Sequence, residues 1–146
     1  MKKQVIRVES RESSGRVESY RDLVAWRKSM DLLVAVYHAT EAFPKNEQFG
    51  LTSQIKRAVV SIPSNIAEGS SRRSTQEFLR YLNIATGSLA EVETQLTAAQ
   101  RLGFLPQAQE EALQQQCNEI SRILQGLYDS LKSRLATRLS TLDSDH

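Results

Sequence analysis

Cysteine, proline, glycine and histidine are all scarce in this chain of 146 residues, and each scarcity removes a class of protein. The single cysteine, Cys117, allows no internal disulfide, so a reducing compartment, the cytoplasm, is the expected home. Three prolines and six glycines leave long stretches without a breaker, which disfavours a many-turned β fold. The two histidines are His38 and the terminal His146. A carboxylate-bridged metal pair inside a helical bundle needs two inward Glu-x-x-His units, and His38 precedes Glu41 instead of following a glutamate. No metal site is expected. No run of about 18 uncharged apolar residues occurs, so no membrane span is expected. The basic start Met1–Arg7 has no apolar stretch of the kind a secretory leader requires. With 19 lysines and arginines against 17 aspartates and glutamates, the formal net charge of +2 does not decide for or against a polyanionic partner. Gly50, Gly69, Gly87 and Gly103 form no phosphate-cradling loop. Glu91 and Glu93, two apart, cannot share a helix face as an acid–base pair. No enzyme, no cofactor and no small-molecule substrate are expected.

What is present is helical periodicity. Residues 1–19 are polar and of mixed charge, and read as a flexible arm. From Tyr20, the residues Leu23, Trp26, Met30, Leu33 and Tyr37 recur at steps of three and four, which predicts one apolar helix face, with Asp22 in the first turn and Phe43-Pro44 as the stop. Leu51, Ile55, Ala58, Ile62 and Ile66 predict a second helix, begun near Glu47 or Leu51 and stopped by Gly69. Pro63 lies inside it and predicts a kink, with Ser61 and Ser64 placed to satisfy freed backbone groups. Ser74-Thr75-Gln76-Glu77 is a capping box opening a third helix. There Phe78, Leu82, Ala85, Leu89, Val92, Leu96 and Ala99 step 4-3-4-3-4-3, a sustained heptad seam that Gly103 closes. Pro106 opens a fourth helix with Leu113, Cys117, Ile120, Leu124, Leu127 and Leu131 on its seam, which makes Cys117 a buried structural thiol. Short connections imply antiparallel neighbours. The expected fold is all-α, an up-down-up-down four-helix bundle over residues 20–136, with residues 137–146 as a frayed tail.

Two surface features stand outside the seams. Lys56, Arg57, Arg72, Arg73 and Arg80 face only Glu68 and Glu77 between positions 56 and 80, which makes them candidates for contacting nucleic acid or another partner. On the third helix Asn83, Gly87, Ala90, Thr94 and Ala98 form a stripe of small residues where a further helix can approach closely, either a bundle neighbour or one from another subunit. With the extra apolar positions Val59 and Ile66, that stripe points to self-association.

The run Gln54 to Gly69, QIKRAVVSIPSNIAEG, resembles the signature of the bacterial four-helix bundle proteins, also called 23S rRNA intervening-sequence or S23-like proteins. The likeness continues through Glu77–Leu82 and Ile84–Leu96, includes Leu23-Val24-Ala25-Trp26, and covers about residues 20–132. It implies a helical bundle that forms homopentameric rings and has no assigned activity. Some members are encoded within insertions in 23S rRNA genes, which implies a link to RNA. The accessory protein of diversity-generating retroelements looks like a relative, and there a more basic bundle associates with a reverse transcriptase and nucleic acid. Self, RNA or DNA, and a nucleic-acid enzyme are therefore the expected partners. Within the signature, Ser61, Pro63, Asn65, Glu68 and Gly69 are expected to fix backbone geometry or an interface, with Asn65 and Glu68 reaching neighbouring helix ends or Arg57.

Overall fold

The computed structural model describes residues 19–144, and every regular element among them is helical. A single 3-10 turn at Tyr20–Asp22 leads into α1 (Val24–Thr40), and a second at Lys45–Glu47 leads into α2 (Leu51–Ser71). Two longer helices follow, α3 (Thr75–Arg101) and α4 (Gln107–Ser144). Each helix packs on its sequence neighbours, and α1 closes the ring against α4. Ser61 meets Ser88, Gln114 meets Glu93 and Lys28 meets Glu119, so every neighbouring pair whose register these contacts set is antiparallel. This is the expected up-down-up-down bundle.

The ends of α3 show why this chain turns where it does. Ser74, in extended conformation, accepts the Glu77 N–H on its Oγ at 3.0 Å, satisfying one of the backbone donors a helix start leaves free. At the other end Gly103 adopts φ +79°, which a side chain would resist. Its N–H donates to Gln100 O and the Phe104 N–H to Ala99 O, the paired bonds of a Schellman stop. Phe104 then stacks on Phe43 from the α1–α2 connection at 6.0 Å, tying two connections together at one end of the bundle.

The α3 seam is buried as its spacing predicts: Phe78, Leu82, Ala85, Leu89, Val92, Leu96 and Ala99 all lie inside. So do Leu113, Cys117, Ile120, Leu124 and Leu131 of α4, with Leu127 half-buried. Each buried aliphatic side chain contributes roughly 1.5–3 kcal/mol, and this mutual burial stabilises segments that would be marginal alone.

Helix α1 departs from its expected face. The buried line is Ala25, Ser29, Leu32, Val36 and Thr40, while Trp26, Met30 and Leu33 are half-buried and Tyr37 is exposed. The core side is turned by about one residue toward smaller side chains. Ser29 and Thr40 can sit there because each hydroxyl donates to a carbonyl three residues back, Trp26 O and Tyr37 O, both at 2.8 Å. Asp22 belongs to the 3-10 turn that precedes α1 and not to α1 itself.

Two helix limits also differ from expectation. Gly69 does not stop α2, which continues to Ser71. A Cβ at Gly69 would come within 2.6 Å of Tyr81 Cβ and 3.0 Å of Phe78 Cδ1, so glycine is needed for α3 to lie close against α2. Helix α4 remains helical to Ser144, where a frayed tail is expected from residue 137. Residues 136–144 are all exposed; no breaker interrupts them, and Thr137 and Thr141 donate to carbonyls four residues back within the helix. The arm assigned to residues 1–19 lies outside the described residues except for Ser19, whose Oγ accepts the Arg21 N–H.

Candidate functional site

The signature residues converge on the contact between α2 and α3. Pro63 is buried within an α2 that runs unbroken from Leu51 to Ser71. Proline withdraws the N–H that its turn would offer, and nearby side chains contribute further donors to the preceding turn. Ser64 Oγ donates to Val60 O at 2.7 Å, and Asn65 Nδ2 donates to Ser61 O at 2.8 Å. The Ser61 hydroxyl has another use: it accepts from Asn65 Nδ2 at 2.9 Å and shares a 2.8 Å hydrogen bond with Ser88 Oγ of α3. Asn65, Ser61 and Ser88 thus form a polar link between the two helices, and Ser88 is buried. Asn65 therefore bonds within its own helix, and Glu68 pairs with Arg72 instead of Arg57.

Outward from that link runs a groove of about 360 Å³ lined by Gln54, Arg57, Ala58, Ser61, Ser88, Glu91 and Gln95. Arg57 and Glu91 enter it from opposite helices without forming an ion pair. Gln95 Oε1 is buried and has no hydrogen-bond partner among the described residues. Alongside the groove, α3 exposes Asn83, Ile84, Gly87, Ala90 and Thr94, and α2 exposes Val60. The small-residue stripe therefore faces away from the bundle's own helices, apart from the half-buried Ala98. Val59 and Ile66, expected to help self-association, are instead fully buried in the core.

The five candidate basic residues do not form one patch. Lys56 lies over the Tyr37 ring of α1 at 4.9 Å, and Arg57 lines the α2–α3 groove. Arg72 and Arg73 are about 16 residues further on, roughly 24 Å at the helical rise of 1.5 Å per residue. Arg72 is ion-paired with Glu68 and donates to Tyr81 Oη at 2.9 Å; both partners raise its pKa, the Glu68 hydrogen bond most. Arg80 lies over the same Tyr81 ring at 4.5 Å, and Arg72 at 5.3 Å. Arg73 is exposed and forms no ion pair with any described carboxylate. Sequence reading missed Tyr81 and Ser88, although both follow from the three-residue turn between α2 and α3. That turn sets a register in which position 61 faces 88 and position 69 faces 81.

The single thiol is withdrawn from solvent. Cys117 is fully buried and its thiol is pushed up to about 12, by desolvation first and then by the Glu93 charge. Among the described residues no three His, Cys, Asp or Glu side chains are grouped to hold a metal ion, and no helix is long and apolar enough to cross a membrane.

Fold and contacts together define an antiparallel four-helix bundle protein whose second and third helices are tied by a proline-containing polar motif. The model of the 23S rRNA-intervening sequence protein family matches residues 21–126, and the chain belongs to that family. Among solved structures it is similar to a protein of unknown function from the S23 ribosomal protein family of Bacteroides thetaiotaomicron. The two share 26% identity with a TM-score of 0.67, over 72% of this chain and 98% of the other. No curated protein matches.

Proposed function

We propose that this chain is a non-enzymatic cytoplasmic scaffold that assembles with copies of itself through the outer face of α2 and α3. The observation that carries the reading is Gly87. It sits in the middle of a 27-residue helix, where glycine costs about 1 kcal/mol relative to alanine. A Cβ there would meet nothing within 4 Å among the described residues, as at Gly126 of α4, but Gly87, unlike Gly126, lies beside exposed Val60 and Ile84. A helix of a second copy lying close against α3 accounts for it. The surroundings suit such a contact: exposed Val60 and Ile84, small Ala90 and Thr94, and oppositely charged Arg57 and Glu91 available to a neighbour.

The likeness to the ring-forming bundle proteins makes a closed homopentamer the expected form. Closed symmetry satisfies every copy's interface at once and prevents open-ended growth. The assembled ring then presents a repeated surface to a macromolecular partner, and weak contacts multiply through avidity. Sedimentation of the full chain at micromolar concentration tests this. A mass of five times the 16.5 kDa chain is expected. A single-chain mass across the accessible concentration range would sink the proposal.

A further inference from the structure

Charge is divided along the bundle's length. A plane through the Ser61–Ser88 hydrogen bond and the Lys28–Glu119 ion pair (3.1 Å) separates two halves. Residues 19–30, 62–88 and 120–144 make the half that contains the α2–α3 turn and the extension of α4. That half carries ten arginines and lysines against five aspartates and glutamates. The other half, residues 31–61 and 89–119, carries four against eight. A net charge of +2 for the whole chain conceals this dipole.

Four of the ten cations of the basic half lie over tyrosine rings. Arg21 lies over Tyr20 at 5.3 Å, Arg72 and Arg80 over Tyr81, and Lys132 over Tyr128 at 6.0 Å. Stacking on a ring orders a cation without cancelling its formal charge, which leaves it able to attract an anion. Arg73, Arg80, Lys132 and Arg138 are exposed and form no ion pair with any described carboxylate. The α4 register puts Lys132 beside the start of α3 and carries Arg138 past it, so all four cations gather at one end of the bundle. Two of the five residues singled out from the sequence, Lys56 and Arg57, lie in the other half.

We infer that this end of the bundle binds the phosphate backbone of nucleic acid without reading its sequence. Spaced, unneutralised cations at a helical end match a chain of phosphates, and contacts to phosphates carry no sequence information. The contact does not require self-assembly, so the two proposals stand or fall separately.

The test uses the full chain and fluorescence anisotropy with a labelled twenty-nucleotide single-stranded RNA and, in parallel, a DNA duplex of equal length. Four phosphate contacts predict about a fiftyfold loss of affinity for the single strand between 50 and 200 mM salt. Arg73→Glu with Arg138→Glu is expected to weaken binding tenfold or more at fixed salt. Lys45→Glu with Arg101→Glu, the same charge change at the opposite end, is expected to change it less than twofold. All four positions are exposed, and circular dichroism checks that each variant stays helical. Equal weakening by the two double variants would overturn the assignment, as would salt-independent binding. Binding of polyglutamate as tightly as RNA would also overturn it, because the face would then recognise an acidic protein.

Discussion

At Gly69 an added methyl would lie 2.6 Å from Tyr81 Cβ, whereas at Gly87 it would meet nothing within 4 Å. Both glycines are helical, so backbone freedom explains neither; their neighbours do. Gly69→Ala should gain about 1 kcal/mol of helix propensity and lose more by forcing α2 and α3 apart. A net destabilisation of about 1–3 kcal/mol is expected, read as a lowered denaturant midpoint with unchanged slope. A midpoint equal to or above the wild type would show that the helices have room to spare. Sequence alone presented Gly69 as a stop because glycine so often ends helices. Only the partner across the interface reveals that it permits close approach. Ser61 is similar: beside a proline it reads as a backbone-satisfying hydroxyl, but its contact with Ser88 lies 27 positions away.

Among the elements, α3 was the most legible, because its seam consists of aliphatic and small residues in an unbroken 4-3 rhythm with a cap at each end. Helix α1 was legible as a helix but misread as to face. Trp26, Met30 and Tyr37 draw attention by size, yet large side chains at the flank of a bundle are commonly half-buried, whereas Ala25, Ser29 and Thr40 fit where helices approach closely. At the end of α4 the helix outlasts the seam. Loss of a core seam marks where packing stops, and a helix without breakers can continue past that point. Removing residues 137–146 is therefore expected to leave the thermal midpoint nearly unchanged, within about 1 kcal/mol of stability, since every described side chain removed, 137–144, is exposed. A large drop would mean that the α4 extension is covered in the working protein.

For the whole molecule, bundle topology was available from four stripes and short connections, and the family from the residues around Pro63. The charge dipole was not. Along the sequence the basic residues of α4 sit 49 or more positions from Arg72 and Arg73, and only antiparallel packing gathers them at one end. The outer face of α2 and α3 occupies an intermediate place: its small residues were visible in the sequence, but that no helix of the bundle covers them was not. The central claim is that another copy does. The most direct measurement is the solution mass of Gly87→Arg beside the wild type. Arginine is a good helix former and Gly87 is exposed with nothing described within 4 Å of an added Cβ, so the variant should keep its helicity and fall to a single-chain mass. If it retains the wild-type mass, the copies meet elsewhere and the claim is wrong.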